Sequence, residues 1–146
     1  MKTIAISGGF DPVHIGHVEL MKEARALGDK LVVIINNDNW LIAKKGFAFM
    51  PEEERAAIIS AVKYADEVVV TSHKKNPDDM SVCKELEELK PDIFANGGDR
   101  KADNIPEYEL CEKLGIEMAF NLGEKIQSSS GLVKRIGEMG IDPKNI

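Results

Sequence analysis

The stretch SGGFDPVHIGHVEL, Ser7 to Leu20, joins an apolar run to an amphipathic segment. The residues before its glycines, TIAIS (3–7), read as a β-strand, and VELMKEARALG (18–28) reads as a helix that ends at Gly28. Four apolar residues at roughly three-residue spacing share one face of that helix: Val18, Met21, Ala24 and Leu27. This stretch therefore predicts a strand, a glycine turn and a helix.

The same alternation continues along the chain. Apolar runs typical of buried strands are KLVVIIN (30–36), EVVVTS (67–72), DIFAN (92–96) and IEMAFN (116–121). Helical patterns occupy PEEERAAIISAVKYA (51–65), a segment from NPDD through VCKELEELK (76–90), EYELCEKLG (107–115) and SSSGLVKRIGEMG (128–140). The helix over 51–65 is expected to bury Ile58, Ala61, Val62 and Ala65, and residues 36–50 are expected to be an irregular loop. The alternation predicts an α/β fold, a Rossmann-like open parallel five-stranded sheet with helices on both faces.

Length and charge limit the possible functions. The chain has 146 residues, which predicts one domain over 1–146, and a formal net charge of −6, which disfavours nucleic-acid binding. No run of about 18 apolar residues indicates a membrane span, and the first residues read as a strand without a signal peptide. Cys83 and Cys111 show no disulfide spacing, so a cytoplasmic location is expected.

The loops after the predicted strands carry most of the glycines, histidines, lysines and serines. In open parallel sheets, ligands bind beyond the carboxyl ends of the strands, so these loops predict the site. The first turn lacks both Gly-x-Gly-x-x-Gly and Gly-x-x-x-x-Gly-Lys-Ser/Thr, which argues against a nicotinamide dehydrogenase and a P-loop ATPase.

His14 and His17 flank Gly16 at the predicted start of the first helix. Residues three apart share a helix face, so both imidazoles can reach one ligand group. A helix start also offers free N–H groups and a positive dipole end to an anion. A bound triphosphate would favour protonated imidazoles and the dipole would oppose them, so the sequence leaves their charge open.

The segment GGFDPVHIGH resembles the Gly-x-Phe-Asp-x-x-His-x-Gly-His signature of the cytidylyltransferase-like nucleotidyltransferases. The likeness continues in order through ALGDKLVVIINND, the Lys44–Lys45 loop, EEERAAII, ADEVVV, KPDIFANGGDR and QSSSG. The resemblance implies transfer of AMP or CMP from ATP or CTP to a phosphorylated small molecule, with release of pyrophosphate. Family members act on heptose 1-phosphate and glycerol 3-phosphate, so acceptors of that kind are expected.

The resemblance also implies roles for individual residues. His14, His17, Lys44 and Arg55 are expected to be catalytic, with Lys44 matching the family's phosphate-contacting lysine. A solvated lysine pair and an exposed helix arginine paired with nearby glutamates are the alternatives. The expected nucleotide-binding residues are Gly8, Gly9, Phe10, Asp11, Gly16, Lys45, Asn96, Gly97, Gly98, Asp99, Arg100, Gln127, Ser128, Ser129 and Ser130.

Several of these residues have structural alternatives. Asn96 to Arg100 could form an ordinary turn, and the serines could simply cap a helix. Glycerol 3-phosphate enzymes usually carry an arginine shortly before the serine segment, where this chain offers only Lys125; the GGDR segment is more similar to the heptose-phosphate type. Trp40 could line the acceptor pocket or pack in the core.

Magnesium is expected to arrive mainly on the triphosphate, with Asp11 an orienting residue rather than a metal ligand. No metal site formed by protein residues is predicted, because a zinc site from the two histidines would need distant cysteines. The partners expected are a nucleoside triphosphate and a small phosphorylated substrate, without nucleic acid or membrane, and the resemblance adds a possible homodimer.

Two other functional classes remain as alternatives. The first is a noncatalytic nucleotide-binding or regulatory module on the same fold. The second is an aminoacyl-tRNA synthetase fragment, since those enzymes also contain HIGH. The chain's length, its acidic charge and its lack of a Lys-Met-Ser-Lys-Ser segment oppose the second alternative.

Overall fold

The computed structural model describes residues 1–97, 105–123 and 129–139. In chain order the elements within these ranges are β1 (Thr3–Gly8), α1 (Ile15–Arg25), β2 (Lys30–Ile35), α2 (Asp38–Lys45), α3 (Glu52–Ser60), β3 (Glu67–Val70), α4 (Cys83–Leu89), β4 (Ile93–Gly97), α5 (Tyr108–Leu114), β5 (Glu117–Leu122) and α6 (Ser129–Glu138). The strands pair in parallel in the order β3-β2-β1-β4-β5. The predicted open parallel sheet is therefore confirmed.

Alternate residues of the central strand β1 face opposite sides of the sheet, as strand geometry requires. Ile4 belongs to a buried cluster that includes Met21 of α1 and Ile59 of α3. Ala5 belongs to a second buried cluster, which includes Leu86 of α4 and Cys111 of α5. Helices thus cover both faces of the sheet. Strand β2 is apolar and buried from its second residue to its last, which fits that arrangement.

Three helical segments differ from the sequence prediction. Helix α2 lies inside the stretch 36–50 that was expected to be irregular. Helix α3 ends at Ser60, and its buried residues are Arg55 and Ile59, whereas Ile58 is 42% exposed. The predicted stripe is therefore wrong at Ile58 and Ala61, whereas Val62 and Ala65, beyond the end of the helix, pack against the core as predicted. Helix α4 begins only at Cys83, because the residues before it form turns, with the Asp79 carboxylate accepting from the Ser81 N–H.

The strand order changes direction at the centre of the sheet. The chain moves from β1 through β2 to β3 on one side and then crosses to β4 and β5 on the other. The carboxyl ends of β1 and β4 therefore flank the point where open α/β sheets bind ligands. None of the helices in the described ranges is long and apolar enough to cross a membrane.

Candidate active site

His14 and His17 cap the first turn of α1 reciprocally. His14 is the N-cap residue, and its Nδ1 accepts a hydrogen bond from the Gly16 N–H at 3.0 Å. The His14 N–H in turn donates to Nδ1 of His17 at 3.2 Å. The two rings stack with centroids 3.8 Å apart and planes inclined by 23°. The structure thus brings the two histidines together at the carboxyl edge of the sheet, and the caps orient both rings.

These hydrogen bonds also determine the tautomer of both neutral rings. A backbone N–H can only donate, so each Nδ1 carries a lone pair and each neutral ring carries its proton on Nε2. Burial lowers the pKa of His14, and burial, His14 and Lys45 lower the pKa of His17 to about 3. Both imidazoles are therefore neutral near pH 7, and each can offer an Nε2–H donor to a ligand.

The capping arrangement changes the expected source of anion-binding donors. The Gly16 N–H donates to the His14 ring, and the His17 N–H donates to the His14 carbonyl at 3.0 Å. These two backbone groups are engaged, contrary to the expectation of free N–H groups at this helix start. The imidazole Nε2–H groups are therefore the donors that we expect a ligand to meet at the N-terminal end of α1.

The glycines of the preceding turn make room for neighbouring side chains. Phe10 is buried, has a φ of 52°, and packs edge-on against His17 with ring centroids 4.8 Å apart. A Cβ on Gly8 would lie 3.3 Å from the Phe10 ring, and one on Gly9 would lie 3.0 Å from a Leu41 methyl group. Close packing against neighbouring side chains therefore explains both glycines, and the Phe10 ring packs against the His17 ring.

Asp11 holds the segment between α2 and α3. Its side chain is only 1% exposed, and its two carboxylate oxygens accept from the Phe49 N–H and the Met50 N–H, each at 2.6 Å. Both oxygens are thus engaged by the protein. The buried carboxylate orients the chain, and a contact between Asp11 and the nucleotide stays a prediction.

Arg55 connects four segments near the turn that carries the histidines. It is 0% exposed, and its Nη1 donates to the carbonyls of Gly9 at 2.7 Å and Asn36 at 2.5 Å. Its Nε donates to the Met50 carbonyl at 2.9 Å, and its Nη2 pairs with the Asp38 carboxylate at 2.7 Å. The alternative of an exposed helix arginine is wrong. In this structure the guanidinium contacts protein groups, and a catalytic role for Arg55 stays a prediction.

The two lysines at the end of α2 have different surroundings. The Lys45 ammonium donates to the Asp11 carbonyl at 3.2 Å, and its charge lowers the pKa of His17. The Lys44 ammonium lies 5.8 Å from the centroid of the Trp40 ring, whose Nε1–H donates to the Met80 carbonyl at 2.7 Å. The structure therefore places Lys45, rather than the expected Lys44, beside the histidine turn, and it fixes Trp40 against the loop after β3.

The remaining predicted residues belong to the β4 and β5 side of the sheet. Asn96 is buried, and its Nδ2 donates to the carbonyls of Phe94 and Ala119 at 3.3 and 3.4 Å. Gly97 ends β4, beside an irregularity in its pairing with β5. Ser129 and Ser130 are the first residues of α6. The predictions for Gly98, Asp99, Arg100, Lys125, Gln127 and Ser128 lie outside the described residues.

Sequence reasoning missed α2, which carries the two lysines. The Asn37 side chain caps this helix by accepting from the Trp40 N–H at 3.0 Å, and Gly46 ends it with a φ of 89°. Asparagine as N-cap and glycine after the last turn are ordinary helix signals. These two residues, together with the lysines of the last turn, could have identified the helix.

The sequence is similar to known proteins along most of its length. The profile of the family described as "Cytidylyltransferase-like" matches residues 5–134. The chain is 32% identical over 145 residues to a protein named FAD synthase from Pyrococcus abyssi, with 95% of each chain covered. It is 37% identical to the bifunctional protein HldE of Desulfatibacillum aliphaticivorans, over 78% of this chain and 22% of that protein.

A solved structure is also similar to this chain in fold and in sequence. The crystal structure of the lipopolysaccharide core biosynthesis protein from Thermoplasma volcanium GSS1 superposes with a TM-score of 0.68 at 31% identity. The alignment covers 87% of this chain and 99% of that chain. Fold, histidine turn and sequence likeness therefore agree: the chain belongs to the cytidylyltransferase-like family and is a nucleotidyltransferase.

Proposed function

We propose that this enzyme transfers the AMP group of ATP to the phosphate of FMN, forming FAD and releasing pyrophosphate. The observation that carries the reaction type is the pairing of two imidazole Nε2–H donors with the Lys45 ammonium at one turn. The relatives named FAD synthase, which match along nearly the whole chain, support this acceptor. The likeness to HldE keeps a sugar phosphate such as heptose 1-phosphate as the second candidate.

The proposed chemistry needs no strong general base. The second pKa of a phosphate monoester is near 6, so the acceptor phosphate is largely a dianion at pH 7. One of its oxygens attacks the α-phosphorus, the bond from that phosphorus to the bridging oxygen breaks, and pyrophosphate leaves with the electron pair. Negative charge grows on the α-phosphate and on the departing pyrophosphate, where positioned donors and cations lower the barrier.

In this proposal His14 and His17 donate from Nε2 to the triphosphate, and Lys45 supplies the positive charge. Asp11 and Arg55 act as positioning residues, because one holds the segment after α2 and the other holds the turn before α1. Magnesium would arrive with the triphosphate, whose oxygens suit it. Both oxygens of Asp11 are engaged, so this carboxylate is a poor metal ligand, and no step is assigned to the ion.

A pyrophosphate-release screen tests this proposal. Purified enzyme would be given ATP, CTP, GTP or UTP, each with FMN, heptose 1-phosphate, glycerol 3-phosphate or no acceptor, and products would be separated chromatographically. We expect FAD from ATP and FMN. Turnover of a sugar phosphate without FMN turnover would reject the acceptor and keep the reaction type. Nucleotide binding without pyrophosphate release from any pair would favour the noncatalytic module.

Two further expectations remain proposals. Cys83 and Cys111 are free thiols in the structure, which fits a reducing cytoplasm. A homodimer is expected by resemblance to the family, and light scattering of the purified enzyme tests it.

A further inference from the structure

The segment GFAFM (46–50), between α2 and α3, leaves two aromatic rings partly in water. Phe47 is 43% exposed and Phe49 is 40% exposed, and they are two residues apart. An aromatic ring gains much of its stabilising free energy from burial and from contact with other flat rings. Two half-exposed rings in one short segment thus leave flat apolar surface for a ligand.

This segment is fixed to the turn that carries the histidines. The Phe49 N–H and the Met50 N–H both donate to the buried Asp11 carboxylate. Just before the segment, the Lys45 ammonium donates to the Asp11 carbonyl, and Gly46 turns the chain with a φ of 89°. The two rings thus follow directly after the cation beside the histidines, on backbone that the same turn holds in place.

In the proposed reaction the acceptor phosphate must reach the α-phosphorus at the histidine turn, so the rest of the acceptor can lie along the segment that follows Lys45. We propose that Phe47 and Phe49 bind the planar heteroaromatic ring of a phosphorylated acceptor, the isoalloxazine ring in the case of FMN. This inference rests on the proposed function, because a sugar phosphate has no such ring. The adenine of ATP is a less suitable occupant, since the loop predicted to contact the base follows β4, on the opposite side of β1 from α2.

Single and double substitutions of Phe47 and Phe49 by leucine and by alanine test the inference. Leucine keeps apolar bulk and removes the flat ring, and tyrosine restores it. The control is Ile58→Ala on α3, which removes an apolar side chain of similar exposure (42%). The readouts are KM for FMN, KM for ATP, kcat, FMN binding by quenching of flavin fluorescence, thermal unfolding and molar mass by light scattering.

We expect KM and Kd for FMN to rise about tenfold or more in the double leucine variant, the scale of a lost aromatic stack. KM for ATP should stay near the wild-type value, tyrosine should restore FMN binding, and Ile58→Ala should behave as wild type. If an alanine variant fails to fold, the leucine variants still give the result.

Four results would overturn the inference. Wild-type FAD synthesis with unchanged FMN affinity in the leucine variants would remove both rings from acceptor binding and leave the proposed function standing. A rise confined to KM for ATP would assign the rings to adenine, and a loss of dimer mass with unchanged KM would assign them to a subunit interface. Absence of FAD formation in the wild type would reject the FMN acceptor, and this inference with it.

Discussion

Two groups of polar residues meet near the carboxyl end of β1, and they have opposite surroundings. His14 and His17 use Nδ1 for the backbone and keep Nε2–H as the donor for a ligand. Asp11 and Arg55 direct their charged groups to backbone amides, to backbone carbonyls and to Asp38. In the proposed function the first group meets the ligand, whereas the second holds the surrounding loops in place.

This difference separates two reasons why a charged or polar residue occurs in a family motif. A buried guanidinium that satisfies three carbonyls and one carboxylate determines where the loops lie, and its removal should affect folding. An imidazole oriented by a helix cap is proposed to donate to the triphosphate, and its removal should affect turnover. Substitutions of the two kinds of residue should therefore have different effects.

Arg55→Ala should lower the free energy of unfolding by about 3–5 kcal/mol, because it leaves Asp38 and the carbonyls of Gly9, Asn36 and Met50 without their buried donor. Urea unfolding measures this change. The control is Arg25→Ala, whose half-exposed ion pair with Asp66 should contribute only about 0–1 kcal/mol. Similar losses in both variants would remove the distinction between the buried and the exposed arginine.

His17→Ala should lower kcat by about 10²-fold or more, because it removes a donor that is positioned for charge developing in the transition state. His14→Ala should have a comparable effect, and the thermal unfolding midpoint of both variants shows whether the protein remains folded. The control is His73→Gln, since the His73 ring contacts Thr71 and Ser81 in the loop after β3. Near-normal turnover in a folded His17→Ala variant would exclude that imidazole from the mechanism.

The sheet could be predicted because its strands have an unambiguous signal. In KLVVIIN an uninterrupted apolar run matches a strand that is covered on both faces, and the structure buries it as expected. The histidine pair could be found because two scarce residues three apart at a helix start share one face. In both cases the decisive signal lies within a short stretch of sequence.

The remaining features depend on contacts that are distant in sequence. The buried face of α3 was misplaced because it begins with Arg55, and a charged residue counts as exposed in any apolar pattern. Its burial becomes possible only when carbonyls from three other segments converge on it. Likewise, Lys44 and Lys45 are indistinguishable as neighbours in sequence, and only the fold of α2 brings the second one to Asp11.

Lys45→Ala should lower kcat/KM about tenfold, whereas Lys44→Ala should change it less, because only the Lys45 ammonium lies beside the histidine turn. The adjacent position makes each variant the control for the other, with equal loss of charge and of side-chain length. Steady-state kinetics at low and high salt measure the difference. A larger loss for Lys44→Ala would restore the assignment that the sequence favoured.

The smallest expected effect is that the His17 side chain of the folded protein does not titrate between pH 8 and pH 5. The pKa of His17 is lowered to about 3 from 6.5, so its side-chain ¹⁵N shifts should stay at the neutral Nε2–H values between pH 8 and pH 5, while the urea-unfolded protein titrates normally. Because the unfolded state then binds the proton more readily, stability from this group is complete above pH 6.5 and falls as the pH drops towards 3. His17→Asn should reduce that slope. A titration of His17 near pH 6.5 in the folded protein would show that its cap and its burial do not hold the ring neutral. The ring would then carry a positive charge below that pH.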